Sequence, residues 1–349
     1  MITEFKRNGY SLLLDEPEMY VNNEARNRSG HMTHAMAEFA PNCIIDFNAN
    51  SSAAYCGGHS TYGWVEYRIS RDGGKTFSPI RNFPYSVESF LDGIHVISVE
   101  KAVACDNGRI VAICLRNNAH ALCQPWATPT IVTSDDGGET WSEARAMCTY
   151  EGRVYDAVYR DGSIYALEFC NPGDGYFCGH KPEHLYRIFK SDDNGESFYE
   201  HCIVPLPTHG RGYGALLFDP EGRLHAYAYH DAAERELDHT VSEDGGVTWA
   251  EPDTIYLAHG IRNPQVGLVD GIYIIHGRAE NESGFVIYSS KDGKTFDEGE
   301  FIGHWHDVCY YSNNITLTSD GDTRMLIQYS ETYRPNRVNV YHRVLRIGR

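Results

Sequence analysis

The stretch Ser134-Asp-Asp-Gly-Gly-Glu-Thr-Trp141 occurs in five related copies, called boxes below, along this chain of 349 residues. The other boxes begin at Ser70, Ser191, Ser242 and Ser290, and the last of them is one residue shorter. Their first serines are 64, 57, 51 and 48 residues apart. An internal repeat with this period indicates an array of similar supersecondary units, such as the blades of a propeller.

Each box predicts a tight turn between two strands. Glycine adopts positive φ without steric cost, and the Asp side chain accepts hydrogen bonds from nearby backbone amides. The Ser or Thr can bond back across the turn, and the closing Phe or Trp is large enough to pack against a neighbouring unit. We therefore expect the boxes to be structural motifs rather than catalytic ones.

A second repeat consists of β-hairpins, one before each box and one near the C-terminus. Their turns are flanked by short β-rich runs and lie at Pro41-Asn42, Asp106-Asn107-Gly108, Asp161-Gly162, residues 219–222, Asp270-Gly271 and Asp320-Gly321. A propeller blade has four strands, but the sixth hairpin is followed by only one more strand, within residues 337–347. The run Tyr10–Leu14 can supply the missing strand and close the ring, which removes an exposed sheet edge.

These repeats predict an all-β fold, a six-bladed β-propeller that forms a single domain over residues 1–349. Segments 20–33, 117–129 and 171–183 are expected to be loops.

The formal net charge of −18 argues against nucleic acid or an anionic membrane as a general partner. No run of about 18 apolar residues suggests a membrane span.

The ten cysteines are scattered and form no C-x-x-C pair, which suits buried free thiols in a reducing compartment. The first residues lack the pattern of a signal peptide. We therefore expect a cytoplasmic protein, or a secreted one if a signal segment has been removed. The oligomeric state stays open.

In the predicted propeller, the box and hairpin turns lie on one face. The starts of first strands and the ends of second strands meet on the other face, around the axis, where they can form a concave site. The side chains expected there are unusually polar: Arg28, His31, His34, Asn48, Asn50, His95, Glu100, Arg116, Asn117, Tyr155, Asp156, Glu168, Asn171, Arg211, Tyr213, Tyr229, His230, Arg262, Asn263, His276, Arg278, Tyr310, Tyr311, Gln328, Tyr329 and Glu331.

Several arginines on one rim of an acidic protein suggest recognition of an anion, because Arg binds carboxylate or sulfate through two hydrogen bonds. The alternative is that each Arg pairs with a neighbouring acid. The pairs His31/His34 and His304-Trp-His306-Asp307 lack the usual context of a metal site. We expect no metal and no cofactor.

The boxes resemble the Asp-box, S-x-D-x-G-x-T-W, of sialidases and related propellers. Tyr310-Tyr311-Ser312, followed by Gln328-Tyr329-Ser330-Glu331, is similar to the last blade of that family. The resemblance implies a carbohydrate substrate and a nucleophilic tyrosine at Tyr311, since sialidases use Tyr where most glycosidases use a carboxylate.

The chain departs from the family at three places. His31–Glu38 stands where the family has an Arg-Ile-Pro step, segment 51–63 contains no Asp, and the fourth blade begins without a Glu. His34 or His59 in the places of the missing groups indicates different chemistry.

Our leading interpretation is a sialidase-like glycoside hydrolase that acts on an acidic sugar. Tyr311 is its nucleophile or transition-state stabiliser, and Asp156 and Glu168 are its acid–base candidates. The remaining substrate contacts are assigned to Arg116, Arg211, Arg262, Arg278, Tyr213, Tyr329 and Glu331. Two alternatives stay open: a polysaccharide lyase on uronate, using His34, His95, His230 and Tyr311, and a non-catalytic glycan-binding propeller.

Overall fold

The computed structural model describes residues 2–30, 32–52, 62–119, 126–174, 176–279, 284–304, 311–318, 322–335 and 337–349. Five sheets form the first five blades of a propeller, and a sixth sheet joins the two ends of the chain. This arrangement confirms the predicted six-bladed, all-β fold. Among the described helices, none is long and apolar enough to cross a membrane.

The first three blades contain strands β4 to β16. Blade 1 is built from β4 (Arg28–Ser29), β5 (His34–Ala40), β6 (Cys43–Ser52), β7 (Gly63–Ser70) and β8 (Arg81–Asn82). Blade 2 contains β9 (His95–Ala104), β10 (Ile110–Asn118), β11 (Thr130–Ser134) and β12 (Arg145–Ala146). Blade 3 contains β13 (Gly152–Arg160), β14 (Ser163–Cys170), β15 (Leu185–Ser191) and β16 (Tyr199–Val204).

The next two blades repeat this antiparallel pattern. Blade 4 contains β17 (Arg211–Phe218), β18 (Leu224–His230), β19 (Glu236–Ser242) and β20 (Asp253–Tyr256). Blade 5 contains β21 (Arg262–Val269), β22 (Ile272–Ala279), β23 (Gly284–Ser290) and β24 (Glu300–His304).

Blade 6 is assembled from both ends of the chain. It contains β25 (Ser312–Leu317), β26 (Arg324–Arg334), β27 (Arg337–Gly348), β2 (Tyr10–Asp15) and β1 (Ile2–Arg7), in that order. The short strand β3 (Glu18–Val21) also pairs with β27. The buried side chains of Leu12 and Leu14 on β2 pack into the core of this blade, so the N-terminal strand is fixed by apolar burial as well as by backbone pairing.

Within the described ranges, two helices lie outside the blades. Helix α1 (Asn23–Arg26) falls within the segment expected to be a loop, and helix α2 (Pro84–Asp92) follows blade 1. Pro84 stands at the start of α2, where a missing backbone N–H has no cost, and Gly93 ends it with φ of 72°. The hydroxyl of Ser86 on α2 accepts a 2.7 Å hydrogen bond from the Val65 backbone, which ties the helix to blade 1.

The second box shows why these motifs form turns. Asp136 accepts hydrogen bonds from the backbone amides of Glu139 and Thr140 at 3.0 and 2.9 Å and from the Thr140 hydroxyl at 2.6 Å. These bonds, the Thr140 side-chain bond foremost, lower the pKa of Asp136 to about 2. Ser134 Oγ accepts a 2.9 Å bond from the Gly138 amide, whose φ of 87° favours glycine.

The closing aromatic of the second box packs against the preceding blade. The Trp141 ring lies 5.0 Å from the ring of Phe83 and 5.9 Å from that of Phe47. Its indole N–H donates to the Tyr67 hydroxyl at 3.2 Å, and that hydroxyl donates to the Gly138 carbonyl at 2.8 Å. The box therefore joins two blades, which confirms its predicted structural role.

The first strand of each blade surrounds the axis. Strands β5, β9, β13, β17, β21 and β25 contact one another in sequence, and β25 contacts β5 to complete the ring. A channel between these strands is lined over much of its length by small or apolar side chains such as Ala102, Ala157, Leu217 and Val266. The polar side chains collect where these strands begin, and this end of the ring carries the candidate site.

Candidate functional site

A small polar cavity lies on the axis near the starts of the inner strands. Residues from all six blades or the segments that precede them line this cavity: Met32, His34, Glu100, Lys101, Arg153, Tyr155, Tyr213, Gly214, Asn263, Gln265, Tyr311, Ser312 and Asn313. This cavity is our candidate active site.

A buried ion pair between blades 2 and 3 forms one wall of the cavity. Arg153 donates to Glu100 Oε2 from Nε at 2.8 Å and from Nη2 at 2.7 Å. The two side chains are only 3% and 7% exposed. Burial raises the pKa of Glu100, and the charge of Arg153 opposes this shift. Burial alone favours a neutral Arg153, but the Glu100 carboxylate and the nearby phenols raise its pKa well above the usual value.

Four aromatic rings, called the arginine cage below, surround the Arg153 guanidinium. Its central carbon lies 5.1 Å from the ring centre of Tyr155, 5.3 Å from Tyr311, and 5.7 Å from Trp126 and Tyr213. Each distance is within the range of a cation–π contact. The cage therefore holds the cation next to the tyrosine that the sequence resemblance marks as the nucleophile.

Three buried polar atoms of the cavity lining form no hydrogen bond with the described part of the protein. They are Arg153 Nη1, Glu100 Oε1 and the Tyr155 hydroxyl. Buried polar groups are normally paired, because an unpaired one costs about 1–3 kcal/mol. Two hydrogen-bond donors and one acceptor around one cavity indicate a place for a polar ligand or for water.

A chain of hydrogen bonds orients His34. The Gln328 amide nitrogen donates to Asp46 Oδ1 and to the Phe47 carbonyl, so Gln328 Oε1 must act as an acceptor. His34 Nδ1 lies 2.5 Å from that oxygen and therefore carries the proton of the neutral ring. This leaves Nε2 as the basic nitrogen of His34. Asp46 is held in turn by His342 at 2.7 Å.

Tyr311 immediately precedes β25 and is positioned by blade 6. Its backbone N–H donates to Ser330 Oγ at 3.1 Å, and its hydroxyl lies 3.5 Å from that of Tyr213. The next residue, Ser312, is held by His276, whose Nδ1 lies 3.1 Å from the serine Oγ. Burial raises the pKa of the Tyr213 phenol well above its usual value, so Tyr213 acts as a neutral hydrogen-bonding group.

Asp156 lies deeper in the channel, on the far side of Lys101. Lys101 Nζ is 2.9 Å from Asp156 Oδ1, and it donates to Gln265 and Asn313 at 2.6 and 2.7 Å. Asp156 also accepts a 2.8 Å hydrogen bond from the backbone of Leu216. These bonds join five blades, from blade 2 to blade 6. Asp156 lines the channel below the cavity but is not part of the cavity lining.

Glu168 lies behind the cavity wall in blade 3. It is fully buried, and its Oε2 accepts a contact from Cys148 Sγ at 3.1 Å. Burial raises the pKa of Glu168 to about 7. Glu168 and Asp156 have no hydrogen-bond partner in common among the described residues, and neither lines the cavity beside Tyr311. The structure thus does not bring together the three groups that the sequence grouped as catalytic.

Arg211 and Arg262, both predicted to bind an anion, pair with acids. Arg211 Nε lies 2.7 Å from Asp238 Oδ2, and Arg262 Nη1 lies 3.8 Å from Glu234 Oε1. Arg262 also packs against the ring of Phe177 at 5.0 Å. The partner of Arg211 lies in the same blade, whereas the partner of Arg262 lies in blade 4, between β18 and β19. Both pairs reduce the charge that these arginines offer to a ligand.

The remaining predicted residues are spread around the rim or buried. Arg278 on β22 lies opposite Arg262 on β21. Burial lowers the pKa of His95, and the positive charge of Arg116 on β10 lowers it further. His230 accepts hydrogen bonds from the backbone of the loop that follows it. Tyr329 is buried and its ring stacks on that of Phe285. Glu331 on β26 lies opposite Asn339 on β27. None of these residues lines the cavity. Several predicted residues lie outside the part of the chain that the structure describes: His31, His59, Tyr310, His306, Asp307 and the side chain of His304.

Arg153 and Lys101 are the charged cavity residues that the sequence did not reveal. Both lie beside β-bulges, at Glu100 in β9 and at Tyr155 in β13. A bulge inserts one residue and shifts which side chains face the axis. The alternation of polar and apolar residues therefore could not predict whether the side chains of Arg153 and Lys101 face the axis. A charged residue inside an otherwise apolar inner strand was the one available signal.

Comparisons with known proteins agree with this architecture. The BNR/Asp-box repeat family matches residues 132–143, which cover the second box. No protein with a curated description matches the sequence.

Solved structures match nearly the whole chain. A protein of unknown function from Dyadobacter fermentans aligns with a TM-score of 0.74 and 13% identity, over 96% of this chain and 99% of that one. The chain is an Asp-box β-propeller with the sialidase-like fold. Hadza microbial sialidase Hz136 aligns with a TM-score of 0.70 and 13% identity, over 95% of this chain and 68% of that one. A mutant of NanB sialidase from Streptococcus pneumoniae aligns with a TM-score of 0.64 and 10% identity, over 94% of this chain and 70% of that one.

Proposed function

We propose that this protein is a glycoside hydrolase that cleaves an acidic sugar from a glycan, with its reaction centre at the cavity of the arginine cage. The observation that carries the proposal is a group of polar atoms around that cavity that have no hydrogen-bond partner among the described residues: Arg153 Nη1, Glu100 Oε1 and the Tyr155 hydroxyl. The similarity to sialidase structures supports the class of reaction, and the chemistry of the cavity supports the charge of the substrate.

In this proposal the carboxylate of the sugar accepts hydrogen bonds from Arg153 Nη1 and the Tyr155 hydroxyl. Hydrogen bonds to charged groups contribute about 1.5–3 kcal/mol each. Because Arg153 is buried and held by Glu100 and four rings, its free N–H is fixed in direction before the substrate arrives. A fixed donor loses little conformational entropy on binding.

Tyr311 is the proposed nucleophile. Its phenol oxygen attacks the anomeric carbon while His34 Nε2 accepts the phenol proton. The substrate carboxylate brings a second negative charge to Arg153, and Glu100, whose pKa burial already raises, then takes up a proton from solvent and gives it to the leaving oxygen. A neutral phenol suits a reaction centre that carries a carboxylate, because it avoids the repulsion that an anionic nucleophile would meet.

Water completes the reaction. Its oxygen attacks the anomeric carbon, the bond between the sugar and Tyr311 breaks, and the tyrosine recovers its proton from His34. The proton lost by water goes to Glu100, which releases it to solvent when the product leaves and pairs again with Arg153. His34 thus takes the base role in place of Asp156 and Glu168, because it lines the same cavity as Tyr311 and they do not.

The lyase alternative uses part of the same cavity. His34, Tyr311 and Arg153 can also remove a proton next to a carboxylate that an arginine neutralises. His95 and His230, the other histidines considered for this reaction, do not line the cavity. Hydrolysis is favoured because Glu100 supplies a second proton-exchanging group, but the two reactions differ in their products.

The proposal is tested by mass spectrometry of sialylated, uronate-containing and sulfated oligosaccharides after incubation with the protein. We expect a carboxylate-bearing glycan to give two fragments that together gain one water. Tyr311→Phe and His34→Gln should each lower the rate by more than about 100-fold. Tyr165→Phe is the matched control, since Tyr165 packs against Phe218 outside the cavity.

Three results would contradict the proposal. An unsaturated fragment without added water would indicate a lyase. Cleavage that survives in Tyr311→Phe would remove the nucleophile from its assigned role. An unchanged panel, with binding but no products, would favour a glycan-binding propeller.

A further inference from the structure

The loop between β14 and β15 brings two histidines and one carboxylate together at the rim of blade 3. Asp174 Oδ2 lies 3.1 Å from His180 Nε2 and 3.3 Å from His184 Nε2. All three ligand atoms lie within 4.8 Å of one another. We propose that Asp174, His180 and His184 form a binding site for a divalent transition-metal ion of the zinc class.

The distances suit a tetrahedral ion. Zinc bonds to His nitrogen and carboxylate oxygen are about 2.0–2.2 Å long, which places neighbouring ligands of a tetrahedron about 3.3 Å apart. The 3.1 and 3.3 Å separations of the two histidine nitrogens from the Asp174 oxygen match this spacing. Two histidines and one carboxylate are also the ligand set of known zinc sites that keep a fourth position for water.

Burial gives the site a fixed side and an open side. Asp174 and His184 are 7% and 0% exposed, whereas His180 is 43% exposed. His184 Nε2 is buried and has no hydrogen-bond partner within the described residues. The exposed side next to His180 leaves room for a water ligand and for the ion to enter.

The loop backbone already holds the ligands in place. The Tyr176 amide donates to Asp174 Oδ1 at 3.1 Å, so Oδ2 is the oxygen directed toward the histidines. Gly179 exchanges backbone hydrogen bonds with blade 4, donating to the Arg211 carbonyl at 2.8 Å and accepting from the Gly210 amide at 2.7 Å. Much of the entropy of forming the site is therefore lost during folding rather than on binding.

Metal binding would replace two existing contacts. Lys181 Nζ lies 3.1 Å from Asp174 Oδ2 and must move away, which its 42% exposure allows. His184 Nδ1 accepts a long 3.3 Å hydrogen bond from the His180 amide, and this bond is lost when Nδ1 carries the proton of the coordinated ring. Both changes predict competition between the ion and protons or Lys181.

The inference is tested on the full chain, stripped of metal, by titration with Co²⁺ and competition with Zn²⁺. We expect one Co²⁺ per chain, with the visible absorption of a tetrahedral N/O site and without the sulfur charge-transfer bands that cysteine ligands give. Zn²⁺ should displace Co²⁺ and raise the melting temperature of the protein.

Variants separate this site from incidental binding. His180→Ala and Asp174→Asn should each weaken binding by more than about tenfold, because each removes one of three ligands. Lys181→Gln should strengthen it, because it removes the competing cation. His201→Ala is the control, since His201 lies in blade 3 outside the loop and contacts the Gly245 carbonyl. Equal affinity in wild type, His180→Ala and Asp174→Asn, or no stoichiometric binding by wild type, would overturn the inference.

Discussion

Replacing Arg153 by Met tests whether the ion pair of the cavity holds a real buried charge. The substitution keeps a flexible apolar stem but removes both hydrogen bonds to Glu100 Oε2, at 2.7 and 2.8 Å. Glu100 then stays in a site where its side chain is only 7% exposed. Removing one partner of a buried pair typically costs about 3–5 kcal/mol, and we expect a loss of stability in that range.

The pH dependence of this loss has a defined sign. Burial already raises the pKa of Glu100, and Arg153 opposes that shift. Without Arg153 the folded-state pKa rises further above the unfolded value. A carboxyl with a raised folded-state pKa favours folding at low pH, and this contribution is lost as pH rises through the folded pKa. The penalty of Arg153→Met should therefore be larger at pH 7 than at pH 5.

The assay is urea unfolding of wild type, Arg153→Met, Glu100→Gln and the double variant at both pH values. The double variant leaves no uncompensated charge, so it should be more stable than the sum of the single effects by about 1–3 kcal/mol. A loss below about 1 kcal/mol in Arg153→Met, or strict additivity of the two single changes, would refute the buried-charge argument.

Three further changes have clear expected outcomes. Ser134→Ala should cost about 1–3 kcal/mol in urea unfolding, because it leaves the buried Gly138 amide unpaired. His276 is fully buried, and burial lowers its pKa to about 3. Between pH 7 and pH 5 the unfolded chain takes up a proton at this residue and the folded protein does not, so the free energy of unfolding should fall by about 2 kcal/mol. His276→Gln should make the free energy of unfolding less dependent on pH in this range. Lys101→Met should cost about 3–5 kcal/mol, and adding Asp156→Asn should restore part of it; a double variant no more stable than Lys101→Met would contradict this.

The sequence predicted the architecture well because its determinants are local. Asp136 and its partners close a turn within seven residues, and the same pattern recurs at a spacing that only a blade repeat explains. The role of residues 10–14 was also readable, because Leu12, Leu13 and Leu14 form a short apolar run and the last blade lacked a strand.

The cavity was harder to predict, because it depends on contacts between blades. Tyr311, Tyr213 and His34 were identified from the sequence and line one cavity. Arg153 was not, because the bulge at Tyr155 hides the direction of its side chain. Asp156 could not be distinguished from a catalytic acid until the structure placed Lys101 against it.

The most direct test of the proposed reaction is covalent trapping with fluorinated glycosyl fluorides of acidic sugars, sialyl and uronyl, followed by mass spectrometry of the digested protein. We expect one glycosyl unit on the peptide that contains Tyr311 and none in Tyr311→Phe. Turnover of an acidic glycan without an adduct on Tyr311, or an adduct on another residue, would contradict the account.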